Sequence, residues 1–279
     1  MPACADSQLG SPIIPARSVF GVEYAKADES VRPLDLSLTS LGSHITLAVL
    51  HQSQIEHCPS DLSDACPLRR NVSSKRRNEF ILGRAAARLA LIRAGSPNPF
   101  PVMRRAGGDP DWPAGIVGSI THSGPWAIAA VASRSCIWIL GIDLEDVLSI
   151  PEMEIAETVC RASELRWVFE RGDSRLRTAM LFSAKESVYK ALYPWCQQFF
   201  DFHAVELTWI PEQNTFRGVL LTELNDEFSL GFCFEVHCQQ IGHFVFTYLT
   251  INADDYGGWN KSSAIVRTGT NIADKADTG

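Results

Sequence analysis

Three apolar segments follow one another in the middle of this chain, with only short polar turns between them. Their sequences are IVGSITHS at 116–123, WAIAAVAS at 126–133 and IWILGIDLE at 137–145. Short apolar runs that contain β-branched residues and are bounded by Gly, Ser or Pro are typical of β-strands. Any fold assigned to the chain must therefore accommodate three strands in the stretch from 116 to 145.

Polar side chains interrupt these segments in a way that a purely structural sheet does not require. His122 lies near the end of the first segment, and Asp143 and Glu145 end the third. Residues at i and i+2 of a strand point to the same side, so the two carboxylates repel each other unless a hard cation lies between them. The pattern favours a polar site at the strand ends, although His122 alone also fits a core histidine bonded to a backbone carbonyl.

The flanking segments predict helices and further strands. Ser73 or Ser74 can cap a helix over 73–95, for which Gly95 is a suitable end. A longer helix is predicted over 174–195, and shorter ones over 151–160 and 162–172. Further strands are predicted at 44–51 and near 204–210, 215–222 and 228–251.

Charge is distributed unevenly along the chain. The net charge is −7, which argues against general nucleic-acid binding. Residues 68–105 nevertheless contain ten Lys or Arg residues and a single acid, Glu79. A basic segment in an acidic protein can concentrate an anionic ligand, although a solvated helix face is the alternative interpretation.

Composition narrows the class of protein further. No stretch approaches the ~18 consecutive apolar residues that a membrane span requires, and the N-terminus does not have the pattern of a secretory signal. The eight cysteines form no C-x-x-C motif, which argues against a zinc ribbon. We therefore expect a cytoplasmic protein with reduced thiols.

The longer predicted helix carries Glu186 and Lys190 at i and i+4. By spacing alone, these residues form an ordinary exposed pair that contributes ~0.3 kcal/mol. Together with Asp143, Glu145 and the basic segment, a second interpretation arises. Three carboxylates then hold Mg²⁺, the Mg²⁺ holds a diphosphate, and cationic side chains bind the remaining phosphate charge.

Four stretches, in the same order and at similar spacing, carry a resemblance to a known family. They are RRNEFILGRAAARLAL, DPDWPAGIVGSITHSGPWAIAAV, GIDLE and LFSAKESVYKAL, and they cover about 70–210. The chain resembles the 4′-phosphopantetheinyl transferases, most closely the broad-specificity group of surfactin and enterobactin synthetase type. This resemblance implies transfer of the phosphopantetheine arm of coenzyme A to a serine of an apo acyl or peptidyl carrier protein, with release of adenosine 3′,5′-bisphosphate.

The resemblance also implies a fold and a division of the chain. The fold is α+β, with two similar α/β halves related by a pseudo-twofold axis and the active site in the cleft between them. Residues 1–40 form a variable N-terminal segment, 41–140 the first half with the basic helix, and 141–255 the second half with the metal site. Residues 256–279 lack a core pattern and are expected to form a disordered tail.

Individual roles follow from the resemblance, residue by residue. The metal ligands for Mg²⁺ are Asp143, Glu145 and Glu186. The catalytic residues are Glu186, which takes the proton of the carrier serine, together with Lys190 and His122 at the diphosphate. The coenzyme A contacts are Arg76, Arg84, Arg104, Ser119, Thr121, His122, Lys185 and Lys190, with Lys185 ranked below the others. Where the family often has a basic residue, the chain has Gly107 and Gly108, so one contact is missing or supplied by Arg105.

Two other functions remain open at this point: a metal-dependent nuclease, and a non-catalytic binder of coenzyme A or of a carrier protein. The resemblance implies a monomer in antibiotic, siderophore or other secondary metabolite biosynthesis, with coenzyme A and carrier proteins as its partners. The carrier protein is expected to dock beside the cleft, near the aromatic residues Trp195, Phe199 and Phe200.

Overall fold

The computed structural model describes residues 34, 41–58, 62, 73–96, 101–170 and 172–255. The strands are β1 (Ile45–His51), β2 (Met103–Arg104), β3 (Pro110–Asp111), β4 (Ile116–Ser123), β5 (Trp126–Ser133), β6 (Ile137–Asp146), β7 (Val205–Ile210), β8 (Thr215–Leu220), β9 (Cys233–Ile241) and β10 (Phe244–Asn252). The helices are α1 (Ser74–Arg93), α2 (Glu152–Val159), α3 (Ala162–Glu170) and α4 (Ser174–Cys196). Within these ranges no helix is long and apolar enough to cross a membrane.

The two halves of the chain repeat one topology. In the first half, β1 is followed by α1 and then by the β4–β5 hairpin, and the sheet order is β1-β5-β4. In the second half, β6 is followed by α2 to α4 and ends in the β9–β10 hairpin, with the order β6-β10-β9-β8-β7. In both sheets the last strand lies antiparallel between the first strand and its hairpin partner. The prediction of two similar α/β halves is therefore confirmed.

One predicted boundary needs correction. The division between 140 and 141 falls inside β6, which is a continuous strand from Ile137 to Asp146. The halves therefore meet at the turn before Ile137, because a strand that forms the sheet of one half cannot be divided between two. Of the predicted terminal segments, 1–40 is represented only by Leu34, and 256–279 lies outside the described residues.

Strand alternation creates a core on each face of the two sheets. One face of β6 presents Leu140, Ile142 and Leu144 to the core shared with the first sheet. The opposite face presents Ile139 to the core beneath α4. Because side chains alternate along a strand, Asp143 and Glu145 fall on the α4 side. The fold thereby brings both acids under the helix that carries Glu186 and Lys190.

A glycine sets how closely α4 approaches β6. A Cβ atom built on Gly141 lies 2.1 Å from the Ser187 carbonyl oxygen and 2.7 Å from the Ala191 Cβ. The first of these atoms belongs to the helix backbone, which cannot rotate away as a side-chain tip can. Only glycine therefore allows the helix to lie directly on the strand at this point.

A buried ion pair ties α4 to the segments beside it. The Lys185 ammonium donates to Glu164 at 2.7 Å and to the backbone carbonyls of Val159, Phe202 and Val205. The Glu164 carboxylate also accepts the backbone N–H groups of Arg161 and Leu207. Because both charged groups are buried and well bonded, the loss of either leaves the other uncompensated.

We expect Gly141→Ala to reduce the free energy of unfolding by roughly 3 kcal/mol, the upper range for overpacking, because the added methyl group must displace α4. The measurement is urea denaturation followed by circular dichroism. Gly83→Ala is the matched control, since its Cβ meets only the Ile120 Cγ2 atom, at 3.1 Å. Equal stability of the two variants would contradict the close packing of α4 on β6.

We expect Lys185→Met to cost about 3–5 kcal/mol of stability, because it leaves the buried Glu164 carboxylate without its counter-charge. Lys75→Met is the control. Lys75 is also paired with a glutamate at i+4, but its side chain is 83% exposed, so its loss should change stability by less than ~0.5 kcal/mol. Similar thermal midpoints for wild type and Lys185→Met would show that the pair is not structural.

Candidate functional site

Residues from both halves of the chain line one cleft of about 460 Å³. The cleft-lining residues that were predicted as functional are Arg76, Arg84, Arg104, Ser119, His122, Glu186 and Lys190. They come from α1, β2, β4 and α4, which are far apart in the sequence. The fold thus brings most of the predicted phosphate contacts to the same cavity as the predicted catalytic side chains.

The basic side of the cleft is built on α1 and on the segment that follows it. The Ser73 hydroxyl caps α1 by accepting the backbone N–H of Arg76, which fixes where the helix begins. Arg84 is buried, and its guanidinium lies 4.8 Å from the centre of the Phe80 ring. The Arg104 Nε donates to the Gly108 carbonyl oxygen at 3.2 Å. These contacts hold two guanidinium groups at the wall of the cleft.

Behind the α4 wall of the cleft, the acidic groups are organised around Asp143, which is buried; neither Asp143 nor Glu145 lines the cleft itself. The Asp143 Oδ1 accepts hydrogen bonds from the Lys190 ammonium at 2.5 Å and from the Thr121 hydroxyl at 3.0 Å. Its Oδ2 is buried and has no hydrogen-bond partner among the described residues. A buried carboxylate oxygen without a partner is unfavourable, so this atom is suited to bind a ligand or a cation.

Electrostatic coupling perturbs the groups around Asp143. Burial, with the negative charges of Asp143 and Glu186, raises the pKa of Glu145 to about 8 despite the opposing charge of Lys190. Burial also raises the pKa of Glu186. The negative charge of Asp143 adds to this upward shift, and the positive charge of Lys190 opposes it. Burial by itself lowers the pKa of Lys190, but the carboxylates outweigh it and the net shift is upward. One ammonium therefore stabilises three mutually repelling acids.

The pKa of His122 moves in the opposite direction. Burial lowers it, the carboxylate of Glu79 opposes this shift, and the positive charge of Lys190 reinforces it. The imidazole is consequently neutral at neutral pH, and it offers one N–H group as a donor to the cleft.

The donor set fits a hard divalent cation, because Asp143, Glu145 and Glu186 supply only carboxylate oxygens. The Oδ2 of Asp143 has a free acceptor position, and burial with the neighbouring acids disfavours the charged form of Glu145, which an added cation would favour. In the part of the chain that the structure describes, however, no three His, Cys, Asp or Glu side chains are gathered as a ready ligand group. The ammonium of Lys190 is what lies against Asp143.

Two of the predicted coenzyme A contacts are placed elsewhere. The Thr121 side chain is buried and bonded to Asp143 and to the Leu144 backbone N–H, so it joins β4 to β6 and does not line the cleft. Lys185 is used entirely in the buried pair with Glu164. Successive residues of a helix are rotated by about 100°, so the Lys185 side chain points away from the cleft although the neighbouring Glu186 lines it.

Arg105 does not replace the missing basic residue of the loop. Its guanidinium is bonded to Asp111 at 2.9 Å and to Asp109 at 3.2 Å, so its charge is balanced within the β2–β3 turn. The loop is left with Gly107 and Gly108 at the cleft wall.

Several cleft residues were missed by the sequence analysis. They are Glu79, Phe80, Asp109, Tyr189, Tyr193 and Pro194. Tyr189 and Tyr193 follow Glu186 at i+3 and i+7, a spacing that places them on one helix face and was available in the sequence. Asp109 gave no comparable signal, because a turn aspartate is ordinarily exposed.

The predicted aromatic docking surface is only partly accessible. Phe200 is buried, and Trp195 is half-buried with its ring centre 5.6 Å from that of Trp138. Phe199 is 76% exposed. Phe200 thus belongs to the core, because the chain turns back after α4 to enter β7. Phe199 is the most exposed member of this group.

Comparison with known proteins covers most of the described chain. A model of the 4′-phosphopantetheinyl transferase N-terminal domain matches residues 66–132, and a model of the 4′-phosphopantetheinyl transferase superfamily matches residues 139–245. The two matches together span both halves of the fold, including α1 and the β6–α4 site.

Three curated relatives agree with these models. The 4′-phosphopantetheinyl transferase Svp of Streptomyces mobaraensis is 41% identical over 53% of this chain and 60% of its own length. PptT of Mycobacterium tuberculosis is 31% identical over 58% of this chain and 71% of its own length. Enterobactin synthase component D of Escherichia coli K12 is 33% identical over 42% of this chain and 55% of its own length. The aligned region is thus under two thirds of the length of Svp and of the enterobactin component.

Among solved structures, Thermotoga maritima holo-[acyl-carrier-protein] synthase (AcpS) matches 41% of this chain and 62% of its own, at 23% identity and a TM-score of 0.34. The family assignment rests on the two family models and on PptT, most of whose length is covered at more than 30% identity. These matches place the chain in the 4′-phosphopantetheinyl transferase superfamily.

Proposed function

We propose that this protein transfers the 4′-phosphopantetheine arm of coenzyme A to a serine of an apo acyl or peptidyl carrier protein. The observation that carries the proposal is the meeting of Arg84, Glu186 and Lys190 in one cleft, although they belong to opposite halves of the chain. Named 4′-phosphopantetheinyl transferases among the relatives support the same reaction. The nuclease alternative receives no such support.

Binding of coenzyme A is assigned to the basic side of the cleft. Arg76, Arg84 and Arg104 supply planar donor groups that suit a phosphate monoester, here the 3′-phosphate. Ser119 lines the same wall, although its hydroxyl also accepts the Ile142 backbone N–H at 3.1 Å. Binding at this wall directs the diphosphate toward His122 and Lys190.

The chemical step is assigned to the acidic side. Glu186 accepts the proton of the carrier serine, and its raised pKa brings the carboxylate closer to the range in which it acts as a base near neutral pH. The serine oxygen then bonds to the phosphorus of the pantetheine phosphate, and adenosine 3′,5′-bisphosphate departs. The Lys190 ammonium offsets the negative charge that develops on the diphosphate, and the N–H group of His122 stabilises it by hydrogen bonding.

Mg²⁺ is the metal proposed for this site, with Asp143, Glu145 and Glu186 as the residues that hold it. When bound, Mg²⁺ supplies positive charge that stabilises the diphosphate oxygens. The chain's own contribution is to keep Asp143 oriented through the Lys190 ammonium and the Thr121 hydroxyl.

The proposal includes a monomer that acts in the cytoplasm on carrier proteins of secondary metabolism. The described cysteines, Cys58, Cys136, Cys160, Cys196, Cys233 and Cys238, carry free thiols, as expected in a reducing compartment. The relatives of the chain include a component of enterobactin synthase. The exposed Phe199 near the cleft end of α4 is a candidate contact for the carrier.

The deciding experiment incubates the protein with coenzyme A, Mg²⁺ and a panel of apo carrier proteins from fatty acid, polyketide and peptide synthases. We expect at least one carrier to gain the mass of one phosphopantetheine group, with equimolar release of adenosine 3′,5′-bisphosphate. Tight coenzyme A binding without any mass gain would indicate the non-catalytic binder, and nicking of plasmid DNA would indicate the nuclease.

We expect Asp143→Ala to lower kcat by roughly 10²-fold or more, because the site loses a main electrostatic contact and the partner of Lys190. The measurement is carrier modification followed by mass spectrometry, with and without EDTA. The control is Asp254→Ala, since Asp254 is exposed just beyond β10. Undiminished turnover of Asp143→Ala in EDTA-treated buffer is incompatible with the proposed metal site.

We expect Arg84→Ala to weaken coenzyme A binding by about 1.5–3 kcal/mol, the range for a hydrogen bond to a charged group. Binding of 3′-dephospho-coenzyme A should change much less, because the ligand lacks the phosphate that Arg84 contacts. Isothermal titration calorimetry measures both ligands. Arg77→Ala is the control, since Arg77 is exposed on the same helix and does not line the cleft. Equal losses for both ligands would place Arg84 elsewhere.

A further inference from the structure

A buried carboxylate faces the cleft from the turn between β2 and β3. The Asp109 side chain is only 4% exposed, and its Oδ2 is bonded to the Arg105 guanidinium at 3.2 Å. Its Oδ1 is buried and has no hydrogen-bond partner among the described residues, and the residue lines the cleft. The turn is held by backbone bonds between Arg105 and residues 108 and 109, so the carboxylate is fixed in place.

This carboxylate is poorly suited to the charged part of the ligand. A negative oxygen in a cleft that binds phosphates repels them, and a buried acceptor without a donor lowers stability. Arg105 offsets the charge but leaves Oδ1 without a donor. The atom is therefore placed for an uncharged part of the ligand that carries an N–H or O–H group.

The surroundings of Asp109 indicate which part of the ligand that is. Tyr193 donates its hydroxyl to the Gly107 carbonyl oxygen at 3.1 Å, so its ring lies against the same turn. The Tyr189 and Tyr193 rings are stacked, with their centres 5.2 Å apart, and both line the cleft. Tyr193 follows Glu186 by seven residues, which is roughly 10 Å along a helix. A flat aromatic wall at this distance from the reacting group suits a nucleobase.

We propose that the Asp109 Oδ1 accepts a hydrogen bond from the exocyclic amino group of the adenine base of coenzyme A. The inference rests on the proposed function, which supplies the nucleotide. It makes Asp109 a specificity residue. A 6-amino purine satisfies the carboxylate, whereas a 6-oxo purine presents an oxygen to it and leaves both acceptors unpaired.

The test compares binding of adenosine 3′,5′-bisphosphate and inosine 3′,5′-bisphosphate by calorimetry. Wild type should prefer the adenine ligand by ~10-fold or more, the range for a hydrogen bond to a charged group. Asp109→Asn should reduce this preference to near unity, because an amide can donate to the 6-oxo group. Asp111→Asn is the matched control. Asp111 is bonded to the same Arg105, but its side chain is 56% exposed and it does not line the cleft, so the preference should remain.

Four results would overturn the assignment. The first is an unchanged preference in a folded Asp109→Asn variant. The second is equal binding of both ligands by wild type, which needs no variant and holds even if the substitution disrupts the turn. The third is an Asp109→Asn variant that alters only the preference for adenosine 3′,5′-bisphosphate over 2′-deoxyadenosine 3′,5′-bisphosphate. That result would assign the hydrogen-bond donor to the ribose hydroxyl. The fourth is the absence of binding of either nucleotide by wild type.

The same measurements separate this inference from the proposed function. If wild type modifies a carrier protein but does not distinguish the two bases, the inference is wrong and the transferase function stands. If wild type neither binds the nucleotides nor modifies any carrier, the proposed function fails and the inference fails with it.

Discussion

The contact between α4 and β6 at Gly141 is the constraint on which the site depends. Because position 141 has no side chain, the helix backbone reaches the strand, with the Ser187 carbonyl where a Cβ would otherwise lie. Lys190, three residues further along the helix, then reaches Asp143, two residues further along the strand. A helix displaced by one methyl group would move this ammonium away from its carboxylate and shift the Glu186 and Lys190 wall of the cleft.

The repeated topology explains why the cleft forms between the halves. Each half presents the first strand of its sheet beside a hairpin and covers one face with a long helix. The faces that remain pack against each other through one apolar core. At the edge of this core, β4 and β6 are joined by side-chain hydroxyls, with Ser119 and Thr121 accepting the backbone N–H groups of Ile142 and Leu144. The basic helix of one half and the Glu186 and Lys190 side chains of the other therefore face the same cavity.

Electrostatics divides the cleft into regions with different tasks. Arginine side chains on α1 and β2 line one region, and the acids around Lys190 form a region where added positive charge is favourable. Asp109 and the paired tyrosines form a third region, in which an acceptor lies beside aromatic surface. A ligand with a phosphate, a diphosphate and a base has one group for each region, and coenzyme A, the proposed substrate, has all three.

The sequence by itself determined the elements and the chemistry of the site. Local patterns are sufficient for β4 and β5, whose predicted bounds match the structure, and for α1, whose Ser73 cap is a short-range signal. The tertiary structure decided which of the candidates meet. Thr121 and Lys185 have suitable chemistry, but packing directs them to Asp143 and to Glu164. The burial of Asp109 is likewise a result of packing, because the turn that carries it is covered only when the end of α4 lies against it. Local sequence encodes which groups a strand or helix presents, whereas burial depends on contacts between distant segments.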